Sequence, residues 1–214
     1  MSATRRAIFA IFCFSVCAHA QTRTLAVYSG PAPHLESTAM HSLQLELQRV
    51  LLPAGIDMTW FQTGPGKQAS PEVQLAVVGA FDGDCSVDSL PDVPGVVRTR
   101  TLAETSVSRD HVLPYFRVDC THIIRILAPA LRPLSVPMRE TILGRALARA
   151  IAHEVYHILA QTTAHEKNGI AKAALSLSDL YSNKFDFNSE SLRRMQAPPS
   201  PKISRDVLAV LTSR

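Results

Sequence analysis

The chain has 214 residues, enough for one domain with a real core, and 46% of them are hydrophobic. Its formal net charge is +4, which falls to +2 once Arg5 and Arg6 of the N-terminal segment are set aside. A surplus that small, without a stripe of basic and aromatic side chains, speaks against nucleic acid as a partner.

Residues 1–20 have the layout of a cleavable export signal. Arg5 and Arg6 form a positive start, Ala7 to Cys17 an apolar run, and Ala18-His19-Ala20 a small-x-small cleavage site that leaves Gln21 as the mature N-terminus. The apolar run is too short to span a bilayer as a stable helix. The expectation is a secreted or periplasmic protein, free of the membrane after cleavage and acting as a monomer. Export removes Cys13 and Cys17. Cys85 and Cys120 then remain in an oxidising compartment, where one disulfide is the natural pairing and two buried thiols the alternative.

Thr24 to Ser29 is a β-prone run closed by Gly30-Pro31. Leu35, Ala39, Leu43, Leu47, Val50 and Leu51 recur at helical spacing, which predicts a helix over 34–52 ended by Pro53 to Gly55. Ile56 to Gln62 alternates and is aromatic, as a strand does. Thr63 to Pro71 reads as loop, Val73 to Val78 as a strand buried on both faces, and Phe81 to Gly95 as a long loop pinned if Cys85 is bridged. Val96 to Ser108 reads as an extended, polar edge strand, Val112 to Val118 as a further strand, and 121–131 as a short helix.

Arg139 to Leu159 is the strongest helix in the chain. Pro137 suits its first turn, Ser135 is a nearby cap, and Glu140 is an acid close to the start; Gly144 is its one breaker. Leu143, Leu147, Ala150, Ile151 and Ile158 supply the apolar stripe. Short helices near Leu177 to Tyr181 and Ser189 to Met195 follow. Residues 198–214 hold a Pro198-Pro199-Ser200-Pro201 linker and a last short helix. This order of elements predicts a single α+β domain over 21–197 with a mixed, twisted sheet.

Chemistry enters on that strong helix, where His153-Glu154-Val155-Tyr156-His157 forms an H-E-x-x-H motif. Histidines four apart stand on one helical face, so both imidazoles reach one metal ion. The glutamate beside the first then serves as general base for a metal-bound water. Catalytic zinc takes three protein ligands and leaves a position for water. His165, eight residues beyond His157, is the first candidate for the third, provided the helix stops near Ala160 or Gln161 and Gly169 turns the chain behind it. Glu166, Asp179 and Glu190 are rival ligands through oxygen.

The segment HEVYHILAQTTAHEKNGIAKAALSLSDL resembles the active-site region of zincin metallopeptidases, nearest in pattern to the H-E-x-x-H…H arrangement of metzincin-like proteins. More narrowly it is similar to a group of secreted bacterial HExxH proteins, which the AVYSG run, the amphipathic helix after it and GIDMTWFQ also resemble. The resemblance implies a zincin-like fold with zinc on His153, His157 and His165 and Glu154 as base. The chain departs from the metzincin pattern in three places. The second and third histidines are wider apart with no glycine between them, Ala171 follows Gly169-Ile170 where a methionine is expected, and Tyr156 stands where many relatives have glycine.

The function expected from this is zinc-dependent hydrolysis of peptides or proteins. The alternative is a non-catalytic module with a structural zinc or a partner-binding role. Tyr181 is a candidate oxyanion stabiliser, with packing as its other reading. Arg149 and Arg145, one and two turns before His153, either line the cleft, support the metal ligands from behind, or sit on a solvated face. The extended segment Thr101 to Ser108 would bind a peptide by strand pairing.

Overall fold

A computed structural model describes residues 22–63, 75–88, 90–91, 101–109 and 111–197. The expected export signal, most of the loop over 63–71 and the 198–214 tail lie outside the described residues. Five strands form one mixed sheet: β1 (Arg23–Ser29), β2 (Ile56–Gln62), β3 (Leu75–Asp82), β4 (Ala103–Ser108) and β5 (His111–Asp119), in the order β2-β1-β3-β5-β4. The pairs β1–β2, β1–β3 and β3–β5 are parallel, and β4 alone runs antiparallel to its neighbour β5. Five α-helices complete the described residues: α1 (Ser37–Leu51), α2 (Cys120–Leu131), α3 (Val136–Ala160), α4 (Leu177–Tyr181) and α5 (Ser189–Gln196). The architecture is α+β.

Burial follows the strands' place in the sheet. β1, at the centre of the parallel part, is buried continuously from Leu25 to Ser29. β3 alternates instead, with Leu75, Val77 and Gly79 inward, so the expectation of a strand buried on both faces belongs to β1 and not to the 73–78 run. Leu25 pairs with Leu75 and Val27 with Val77, which puts these four side chains on one face. Phe116 of β5 sits opposite Gly79, where a Cβ would come within 2.3 Å of its ring. Leu43 and Leu47 of α1 and Leu143, Leu147 and Ile151 of α3 join this face in one core.

The α1–α3 contact explains the glycine that looked like a helix breaker. A Cβ on Gly144 would lie 2.1 Å from the Ala39 carbonyl oxygen and 2.9 Å from the Leu43 nitrogen. Gly144 therefore lets two backbones meet, and Ser42 Oγ ties the crossing by donating to the Thr141 carbonyl at 2.7 Å. The helix begins at Val136, with Pro137 in its first turn as expected. Ser135 occupies the N-cap but makes no side-chain cap bond, and no acid stands in the first turn. β4 is likewise shorter than the 96–108 run: it starts at Ala103, and 92–100 lie outside the described residues.

Cys85 and Cys120 form a disulfide with their Cα atoms 4.9 Å apart. It joins the segment after β3 to the first residue of α2, whose N-cap Asp119 accepts from the His122 N–H at 2.8 Å. Among the described residues no helix is long and apolar enough to cross a membrane.

Candidate metal centre

The helix α3 ends at Ala160 because Gln161 takes a left-handed conformation, φ 48° and ψ 46°, and its N–H bonds to the His157 carbonyl. Gln161 is held there by its own amide, which donates to the Ile158 and Val112 carbonyls at 2.7 and 2.9 Å. Residues 162–165 then fold back over the helix face. The ligand atoms of His153, His157 and His165 all lie within 4.8 Å of one another. Gly169, at φ +74°, makes the turn behind them; a Cβ there would meet the Asp186 carbonyl oxygen at 2.8 Å.

The hydrogen bonds of the two helical histidines fix their tautomers. His153 Nδ1 lies 2.8 Å from the Ile170 carbonyl oxygen and His157 Nδ1 lies 2.7 Å from that of Thr162. A carbonyl only accepts, so both Nδ1 atoms carry protons, and in the neutral rings both Nε2 atoms carry lone pairs. Those two Nε2 atoms face each other 3.0 Å apart. Burial holds His153 down to about 4 and also lowers His157, so neither ring readily takes the proton that would relieve the contact. Two lone pairs so placed, with the exposed ring of His165 closing over them at 5.2 and 4.9 Å between ring centres, fit a metal cation. The three histidines can bind a metal ion.

Glu154 is buried to 5% exposure beside this cluster. Burial pushes it up to about 7, against the opposing pull of hydrogen bonds from the Thr105 hydroxyl and backbone N–H. Thr105 belongs to the edge strand β4, whose pairing with β5 shifts register between Thr105 and Val107. That irregularity twists the strand beside the helix. A cleft of about 570 Å³ runs between the strand and the helix, with Ala103, Thr105, His153, Glu154 and His165 in its walls.

The oxygen rivals are engaged elsewhere. Glu166 accepts from the buried Tyr156 hydroxyl at 3.2 Å and pairs with Arg194 at 3.5 Å. Asp179 pairs with Lys172 at 2.6 Å and closes the capping box of α4 with Ser176. Glu190 is tied to Arg193 and Arg194, whose hydrogen bonds hold it down to about 2. Tyr181 is 37% exposed on α4 and does not line the cleft. Arg145 and Arg149 do not line it either.

Arg149 corrects the reading of a solvated face, because it is fully buried. Its Nε donates to Glu46 of α1 at 2.8 Å, and Nη1 reaches the Leu180 carbonyl at 3.3 Å. Glu46, 103 residues away in sequence, is the partner that makes this burial affordable, and no local pattern announces it.

His122 is a cleft residue that sequence reasoning missed. No motif surrounds it. The available signal was its place in the first turn of a helix pinned by Asp119 and a bridged cysteine. Comparison with known proteins adds nothing to this geometry: the chain matches no family model, no curated protein and no solved structure.

Proposed function

We propose that the chain is a secreted zinc-dependent hydrolase of the zincin type, a metallopeptidase that holds zinc on His153, His157 and His165 and uses Glu154 as general base. The observation that carries this reading is the pair of histidine Nε2 atoms 3.0 Å apart beside a buried glutamate in an open cleft. Three imidazoles with an open fourth position are the donor set of catalytic zinc, though nickel, copper and iron also accept imidazole. The antiparallel edge strand over the histidine helix supports the zincin assignment, and the disulfide supports export.

Bound there, zinc supplies a Lewis acid and lowers the pKa of its water to about 7. The chain's own residues supply the proton handling and the alignment. A carboxyl poised near 7 takes a proton at neutral pH and returns it, which is what a general acid–base needs when an amine departs. Thr105 of β4 lines the cleft with that carboxylate. Among the described residues β4 has a partner on one side only, so an extended peptide can add to that edge and lie across the histidines.

The test measures bound zinc and hydrolysis of a mixed peptide library by the wild type and Glu154→Ala. The expected result is full zinc in both and at least about a 100-fold loss of hydrolysis in the variant. Equal hydrolysis by the two removes Glu154 as base. Zinc in the wild type without any hydrolysis removes the peptidase reading and leaves a structural metal centre.

A further inference from the structure

His122 stands in the wall of the same cleft, on α2, 5% exposed. Its position is fixed from both sides. Asp119 caps the turn it belongs to by accepting its backbone N–H, and Cys120, two residues earlier, is bridged to Cys85. Its ring, by contrast, makes no hydrogen bond to any described residue. Of the other polar side chains in the cleft wall, His153 and His157 are oriented by carbonyls and Lys172 is paired with Asp179. Ile126 and Ala150 contribute apolar wall to the same cleft.

A ring in a cleft wall that makes no hydrogen bond to a described residue keeps its nitrogens available to a ligand. Placed in a cleft wall, it offers an incoming molecule one N–H donor and one acceptor against an apolar background. That is the chemistry that orients a peptide by one of its backbone groups.

We propose that His122 is a substrate-contact residue, whose ring holds a backbone carbonyl of an extended peptide lying in the cleft between β4 and α3. The proposal rests on the reading of the cleft as a metallopeptidase site. It gives that site a recognition point beyond the metal itself, so ligands long enough to span both should bind better than a metal-binding group alone.

The full chain loaded with cobalt, whose visible spectrum reports ligands entering the site, is titrated with acetohydroxamate and with acetyl-leucyl-alanine hydroxamate. The wild type is expected to bind the peptide hydroxamate more tightly than acetohydroxamate. His122→Phe should lose about tenfold in affinity for the peptide hydroxamate, the worth of one hydrogen bond, with cobalt and acetohydroxamate affinities unchanged. His122→Gln, which keeps a donor at a similar reach, should recover part of the loss. Equal peptide hydroxamate affinity in His122→Phe and wild type overturns the proposal while leaving the metal site intact. Binding of neither hydroxamate by the cobalt-loaded wild type overturns the peptidase reading and the proposal with it. Loss of cobalt by both variants shows His122 to be structural and overturns the proposal alone.

Discussion

Gly144→Ala is a substitution whose sign separates local preference from packing. In an isolated helix, alanine is about 1 kcal/mol better than glycine. In this chain the added methyl would sit 2.1 Å from the Ala39 carbonyl oxygen and 2.8 Å from Ser42 Cβ. The nearer obstacle is backbone, so no side-chain rotation clears it, and α1 must retreat from α3 by about 1 Å to restore van der Waals distance. That retreat also stretches the 2.7 Å bond from Ser42 Oγ to the Thr141 carbonyl. Overpacking of this kind costs about 1–3 kcal/mol, and a rigid obstacle places it at the upper end. Set against the propensity gain, the expected net loss is about 1–2 kcal/mol. Urea unfolding followed by circular dichroism reads it as a midpoint lowered by about 0.5–1 M for a domain with a slope near 2 kcal/mol/M. A midpoint equal to or above the wild type's would refute the close contact that seats the histidine helix.

Tyr156→Phe removes the hydroxyl that Glu166 accepts, next to His165 in the chain. It should weaken zinc binding about tenfold while the two helical histidines keep their carbonyl partners; unchanged zinc affinity would show that the loop does not depend on this bond. Reducing the Cys85–Cys120 bridge, which closes a separation of 35 residues, should cost about 3–4 kcal/mol, visible as a lower denaturant midpoint with dithiothreitol. The metal-free protein should show opposed proton linkages. His153, held at about 4 against 6.5 when unfolded, contributes stability that is present above pH 6.5 and lost as pH falls toward 4. Glu154, at about 7 against 4.5, contributes stability that is present below pH 4.5 and lost as pH rises through 7. Between pH 4.5 and 6.5 the two oppose each other, while His157, also lowered by burial, acts in the same sense as His153. Glu154→Gln should therefore steepen the fall in stability toward acid by up to about 1.4 kcal/mol per pH unit, and a slope identical to the wild type's would contradict the Glu154 shift.

What the sequence made legible was whatever repeats or is local. The 3.6-residue spacing along α1 and α3, the alternation in β2 and the H-E-x-x-H spacing each lie within a single element. The burial of Arg149 depends instead on Glu46, and the tolerance of Gly144 on Ala39, across two helices that sequence distance does not connect. β3 alternates where burial on both faces was expected, because a strand's place in the sheet, not its composition, decides how many faces are covered. His165 was accessible to reasoning because Gln161 and Gly169 supply the two left-handed turns that bring it back. His122 was not, since its place in the cleft wall, with no ring hydrogen bond to a described residue, is visible only in three dimensions.

The central claim is that three histidines, with His165 as the third, hold one metal ion. Equilibrium competition between the protein and a chromophoric chelator measures it directly, in the wild type and in His165→Ala. One zinc per wild-type chain and an affinity weakened by at least about 100-fold in the variant are expected. Zinc held as tightly by His165→Ala as by the wild type, or no zinc held by the wild type, would contradict that claim.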